Sequence, residues 1–167
     1  MGRVTYRLTC TMTAPLPLAT VFAFFEDARN LEKITPPWLN FRIVNPDGIR
    51  MRTGAEIEYV IRWMGVPLRW KTLITGYHPP HDFTDQQACG PYQLWHHEHT
   101  FTQTTEGVLI SDRVDYRLPL GFLGRIAHAV LVKRQLLQIF RYRRQAIAGI
   151  LNAPGITFRN PAITTAL

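Results

Sequence analysis

The sequence predicts an α+β domain in which six or seven antiparallel strands wrap around one long C-terminal helix, with two short helices after the first strand. Three observations carry this prediction. Apolar and polar side chains alternate with a two-residue period through the first two thirds of the chain. Helical spacing replaces that alternation from about Phe122 to Leu151, with no internal proline. Turn residues such as "NPDG" and "TTEG" punctuate the alternating runs. Each strand then has one apolar face, and the helix supplies the stripe that covers it.

A chain of 167 residues with 46% hydrophobic and 19% charged side chains suits one folded domain, read here as residues 1–151 followed by a tail, 152–167. No uncharged apolar run reaches the ~18 residues of a membrane span. The opening "MGRVTYRLTC" lacks the basic head and apolar block of a secretory signal, so a cytoplasmic protein is expected. Cys10 and Cys89, far apart in sequence, are expected to be buried free thiols. The formal charge of +7 comes largely from Arg113 to Arg144. It is read as a solvated helix face, and with no nucleic-acid reading motif beside it a nucleic-acid partner is not expected.

In the first strand Val4, Tyr6, Leu8, Cys10 and Met12 share one face, and Arg3, Thr5, Arg7 and Thr9 the other. Leu18, Val21, Phe22 and Phe25 then have helical spacing, and Asp27 is placed to cap a second short helix that ends before Pro36. A brief strand near Phe41 to Val44 leads into the turn at Asn45 to Gly48. The run from Ala55 to Tyr77 reads as a hairpin whose turn, centred on Gly65 and Val66, sets Ile61 opposite Trp70 and Tyr59 opposite Thr72. A strand around Phe83 to Ala88 follows "HPPH". In the terminal helix, Ile126, Val130, Leu137, Phe140, Ile147 and Leu151 form the inward stripe. The tail is expected to lie loosely over the surface or to contact another chain, which leaves a homodimer open.

The stretch "GPYQLWHHEHTF" places histidines at 96, 97 and 99. A symmetric turn at Thr104 to Gly107 pairs Phe101 with Ile110, His99 with Asp112, His97 with Val114 and Trp95 with Tyr116, all on the apolar face. His96 and Glu98 then point outward. An inward imidazole and an inward carboxylate satisfy each other, since an unpaired buried polar group costs about 1–3 kcal/mol. Asp112 is expected to raise the pKa of His99 and leave one ring nitrogen for whatever fills the interior. Three roles stay open for the pair: fixing strand register, contacting a ligand, or acid/base catalysis. A resident metal is not expected. His97 and His99 could be joined by His78, His81 or Asp112 as in a cupin, but a jelly roll has no place for a thirty-residue helix. The lone serine, Ser111, points away from the interior, and no P-loop, dinucleotide fingerprint or HExxH is present. Trp63, Trp70, Trp95, Tyr59, Tyr116 and Phe140 fall on inward positions, where so many rings around one helix suit a pocket for a flat or greasy ligand.

The runs "VFAFFEDARNLEKITPPWLNFRI", "IRWMGVPLRWKTLITGYHPPHDFTDQQACGPYQLWHHEHTF" and "ISDRVDYRLPLGFLGRIAH" resemble the bacterial cyclase/dehydrase-like, ligand-binding branch of the SRPBCC or START-like (helix-grip) superfamily. The resemblance implies a curved seven-stranded sheet gripping the terminal helix around a deep hydrophobic cavity, with no cofactor. By position it implies a ligand-binding wall of Tyr59, Trp70, Trp95, His97, His99, Asp112, Tyr116, Leu137 and Phe140. The function it implies is binding of a small hydrophobic, aromatic, polyketide-like or lipid-like molecule. One alternative is a polyketide cyclase or dehydratase with His99 and Asp112 as catalytic acid/base pair and Tyr116 donating to an enolate. Another is an interaction module using the basic helix through Arg141, Arg143 and Arg144.

Overall fold

A computed structural model of the chain describes residues 4–46 and 48–166, so Arg3 and Asp47 of the readings above lie outside the described residues. The strands are β1 (Thr5–Ala14), β2 (Arg42–Ile43), β3 (Glu56–Trp63), β4 (Val66–His78), β5 (Asp82–Cys89), β6 (Leu94–Thr104), β7 (Gly107–Arg117), β8 (Thr157–Phe158) and β9 (Ala162–Ala166). Two short helices, α1 (Leu18–Glu26) and α2 (Asn30–Ile34), separate β1 from β2. After β7 come α3 (Gly121–Ala127), a π-turn (His128–Val132) and α4 (Lys133–Leu151). These three join into one helix from 121 to 151.

All nine strands belong to one sheet, ordered β2-β3-β4-β5-β6-β7-β1-β8, with β9 also on β1. Seven strands were expected; the other two come from the tail, which does not lie loose. β1 would otherwise be an edge with unpaired backbone groups. The tail covers it, setting Met12 opposite Phe158 and Leu8 opposite Ile163. Arg144 clamps this segment by donating to Arg159 O and Asn160 Oδ1, with its guanidinium 4.4 Å over the Phe158 ring. Pairing of β4 with β5 shifts register at Lys71/Thr72 and Ile74/Gly76, irregularities of the kind that bend a strand.

Pairing of β6 with β7 follows the symmetric turn: His99 faces Asp112, His97 faces Val114 and Trp95 faces Tyr116. The β3–β4 hairpin turns one residue earlier than expected, which shifts the pairing register by two. Met64 and Gly65 both have positive φ, 51° and 83°, as a type I′ turn requires, so Tyr59 faces Trp70 and Ile61 faces Leu68. A two-residue slip keeps every side chain on its own face. α1 buries Val21, Phe22 and Phe25, while α2 starts at Arg29 without a side-chain cap. Asp27 instead accepts the Arg29 backbone N–H at 3.0 Å. Cys10 is buried, but Cys89 is exposed, and both are free.

The terminal helix departs most from expectation. Ile126 and Val130 are exposed, and the buried positions are Gly124, His128, Val132, Leu136, Phe140 and Ile147. In an α-helix each four-residue step overshoots a full turn by about 40°. Five positions at that spacing stay on one face only if the helix unwinds locally, and the π-turn supplies the unwinding. His128 anchors it: the Tyr116 hydroxyl lies 2.8 Å from His128 Nε2, and the Tyr6 ring stacks on the imidazole at 3.5 Å. Gly124 fits here because a Cβ would come within 2.1 Å of Pro119 O.

Gly124→Ala is therefore expected to lower stability by about 1–3 kcal/mol through overpacking. Gly149→Ala, whose new Cβ meets nothing within 4 Å, is expected to raise it by about 0.5–1 kcal/mol through helix propensity. Urea denaturation of the two variants checks the contrast.

Candidate functional site

Between the concave sheet and the helix lies a cavity of about 460 Å³, within the usual range for a small-molecule site. Strand alternation sends Tyr59 from β3, Trp70 and Thr72 from β4, Asp85 from β5, and Trp95, His97 and His99 from β6 into it. Leu136, Ile139, Phe140 and Arg143 of α4 close the opposite side. One wall is aromatic. Tyr59 and Trp70 stack at 5.8 Å, Trp95 meets Trp70 edge-on at 5.3 Å, and Tyr92 lies 4.8 Å from Trp95. Trp70 Nε1 is buried with no hydrogen-bond partner among the described residues. Burial pushes the Tyr59 phenol far above its ordinary range, so it stays neutral beside Thr72 Oγ1 at 3.3 Å.

At the other end, two imidazoles sit between two carboxylates. Asp112 on β7 places Oδ1 2.7 Å from His99 Nδ1 and 3.5 Å from His97 Nε2. Asp85 on β5, directly opposite His97, places Oδ2 3.3 Å from His99 Nε2 and 3.5 Å from His97 Nδ1. The His99–Asp112 contact is short but off the line of a straight hydrogen bond, so it acts chiefly as a charge pair. The two rings are 3.8 Å apart, and Phe83 stacks on His99 at 4.3 Å.

The shared environment splits the two histidines. Burial pulls both toward the neutral form. For His99 the contacts with Asp112 and Asp85 outweigh that pull, and its pKa is raised. For His97 burial wins, reinforced by the charge on His99, and its pKa is lowered. Burial alone would push both carboxyls up, but the imidazoles hold Asp85 and Asp112 below the ordinary carboxylate range. The cluster thus favours two carboxylates and a charged ring at His99, with His97 biased to the neutral form.

Of the residues expected to meet ligand, Tyr59, Trp70, Trp95, His97, His99 and Phe140 line the cavity, while Asp112, Tyr116 and Leu137 do not. Asp112 lies behind the imidazoles, facing a void of about 10 Å³ shared with Cys10 and Arg143, so it reaches the cavity only through them. Tyr116 is fully buried and committed to His128. Leu137 is displaced by the π-turn, and Leu136 takes the inward place. Two charged cavity-lining positions escaped the sequence reading. Asp85 shares a face with Phe83, but the irregular link from 90 to 93 gives no register between β5 and β6. Arg143, three residues beyond Phe140, was counted with the outer basic face. It lines the cavity, and its Nε is buried without a hydrogen-bond partner among the described residues. With Arg143 turned inward and Arg144 on the tail, Arg141, Arg143 and Arg144 do not form one exposed patch.

Asp85, His97 and His99 offer ligand atoms within 4.8 Å of one another and are the described residues that could hold a metal ion. His78 is not among them; it pairs with Asp82 at 2.7 Å in the exposed β4–β5 turn. His81 is exposed as well.

The fold is shared with solved structures of low sequence identity. Protein Ms6760 from Mycobacterium smegmatis is 20% identical, with a TM-score of 0.63 over 87% of this chain and 90% of that one. Ginseng major latex-like protein 151 from Panax ginseng is 14% identical, with a TM-score of 0.65 over 88% and 97%. The di-domain ARO/CYC StfQ from the steffimycin biosynthetic pathway is 9% identical, with a TM-score of 0.62 over 90% of this chain and 53% of that one. No curated protein matches the chain. Residues 14–141 match the family described as "Polyketide cyclase / dehydrase and lipid transport". With that match running from the end of β1 into α4, the chain belongs to the polyketide cyclase / dehydrase and lipid transport family.

Proposed function

We propose that the protein binds a small, mainly apolar molecule whose single hydroxyl or carbonyl end meets His97, Asp85 and Arg143. The observation that carries this reading is the combination of an aromatic-walled cavity of about 460 Å³ with one compact polar cluster at its inner end. A ring system or chain lies against Tyr59, Trp70, Trp95 and Leu136, where burial of apolar area supplies the affinity. Orientation comes from the polar end. His97, neutral, offers a nitrogen that can donate or accept. Arg143 and Trp70 line the cavity, and Arg143 Nε and Trp70 Nε1 are buried donors that lack hydrogen-bond partners among the described residues.

In this reading Asp112 is a positioning residue. It sits outside the cavity and favours the charged form of His99, and burial, reinforced by that charge, keeps His97 toward the neutral form. The pair does not act as two groups on one substrate, because only the imidazole faces the cavity.

Freshly purified protein is expected to retain a small molecule in native mass spectrometry, and the emptied chain to bind 1-naphthol. His97→Phe is expected to weaken 1-naphthol binding on the order of tenfold by removing one hydrogen bond, with naphthalene affected about twofold or less. A chain that carries nothing and binds neither probe contradicts the reading.

Asp112→Asn is expected to destabilise the fold by about 3 kcal/mol, since it leaves a buried imidazolium short of a partner. The raised His99 pKa sets the sign. The pair's stabilisation is fully present below the unfolded histidine pKa of ~6.5 and is lost as pH rises through the higher folded value. Denaturation across pH should show the variant's deficit shrinking toward alkaline pH.

A further inference from the structure

Leu120, Phe122, Leu123, Ile126 and Val130 are each between 46% and 77% exposed. Phe122, Ile126 and Val130 follow at four-residue steps and share one outward face of the helix start. Leu120 and Leu123 also line the cavity, so this stripe runs into the cavity rim. Leu120 is held at φ 66°, a left-handed conformation uncommon for leucine. A second exposed apolar pair, Met64 and Val66, stands at the β3–β4 turn, whose Trp63 lines the same cavity and hydrogen-bonds Gln135 of α4. Contiguous exposed apolar surface of this kind marks a contact site.

Charge identifies the partner. From Tyr116 to the C-terminus the chain carries eight Arg and Lys residues and no Asp or Glu. Arg125 lies 5.7 Å over the Phe122 ring, and Lys133 and Arg134 are exposed just past Val130. A second copy of the chain suits this face poorly, since a two-fold contact would bring Arg125, Lys133 and Arg134 toward their own equivalents. Nucleic acid would leave the apolar side chains unmatched. A surface that offers negative charge outside and hydrocarbon beneath satisfies both features.

We propose that the helix start and the adjoining cavity rim dock on an anionic lipid bilayer. Phe122, Leu123, Ile126 and Val130 enter the headgroup layer, and Arg125, Lys133 and Arg134 meet lipid phosphates. The proposed contact is peripheral; among the described residues no helix is long and apolar enough to cross a membrane. The docked rim lets an apolar ligand pass between bilayer and cavity without crossing water, a purpose that rests on the cavity binding such a ligand.

The full chain is mixed with phosphatidylcholine vesicles and with vesicles that also contain phosphatidylglycerol, and floated on a density gradient. Binding is expected to be at least about tenfold tighter to the anionic vesicles and to fall with added salt. Lys133→Gln/Arg134→Gln is expected to weaken it on the order of tenfold. Phe122→Ser/Val130→Ser, at two side chains outside the cavity lining, is expected to weaken it similarly while 1-naphthol binding in solution is unchanged. No vesicle binding, or binding indifferent to both double variants, overturns the proposal. A dimer seen by light scattering that the Phe122→Ser/Val130→Ser change dissociates, without vesicle binding, assigns the face to a second copy and also overturns it. Vesicle binding by a chain that takes up no 1-naphthol upholds the docking and removes the cavity reading instead.

Discussion

Two ionised carboxylates buried beside two imidazoles constrain everything else at the centre of this protein. Neither Asp85 nor Asp112 can remain charged in an apolar interior unless a positive partner is held within a few ångströms. The shared partner is His99, fixed by the pairing of β6 with β5 on one side and β7 on the other, and Arg143 adds positive charge near Asp85. A one-residue slip in either ladder would turn an imidazole or a carboxylate to the opposite face and leave its partner alone. Because only one imidazole is charged, the second remains a neutral hydrogen-bonding group at the inner end of the cavity. The same electrostatics that hold the strands in register thus prepare the site.

The cavity exists because the helix packs against β1 and β7 while β3 and β4 line open space. Near its start, His128 is locked between Tyr116 and Tyr6; near its end, Ile147 packs in the cluster that contains Phe22, Phe25 and Phe101. Between those anchors Val132, Leu136 and Phe140 pack with Leu8, Cys10 and Val114, and on their other side they border the open space. Rings such as Trp70, Tyr59 and Trp95 pack on one another along the wall, which keeps them from collapsing into the centre. The tail adds rigidity at the far edge by closing β1, and in doing so it occupies Arg144.

Much of the fold was legible from alternation alone, because side-chain direction in a strand depends only on parity. The β6–β7 hairpin, with a symmetric two-residue turn, could be registered residue by residue, and His99 met Asp112 as the numbering required. Where the link was irregular, as between β5 and β6, parity gave the face of Asp85 but not its neighbour. The helix failed for a different reason. Its inward positions include a glycine and a histidine, Gly124 and His128, which an apolar count passes over. The π-turn then shifts Leu136 inward in place of Leu137. Tail pairing was invisible because short, polar strands such as Ala162–Ala166 carry no periodicity strong enough to distinguish them from a loose terminus.

Nuclear magnetic resonance titration of the ring nitrogens of His97 and His99 tests most directly whether the buried carboxylates divide one proton unevenly between two rings. His99 should keep its proton above the ordinary histidine value of ~6.5, and His97 should stay neutral below it. If both rings titrate together near that value, the buried cluster does not exist as described and the site built on it falls.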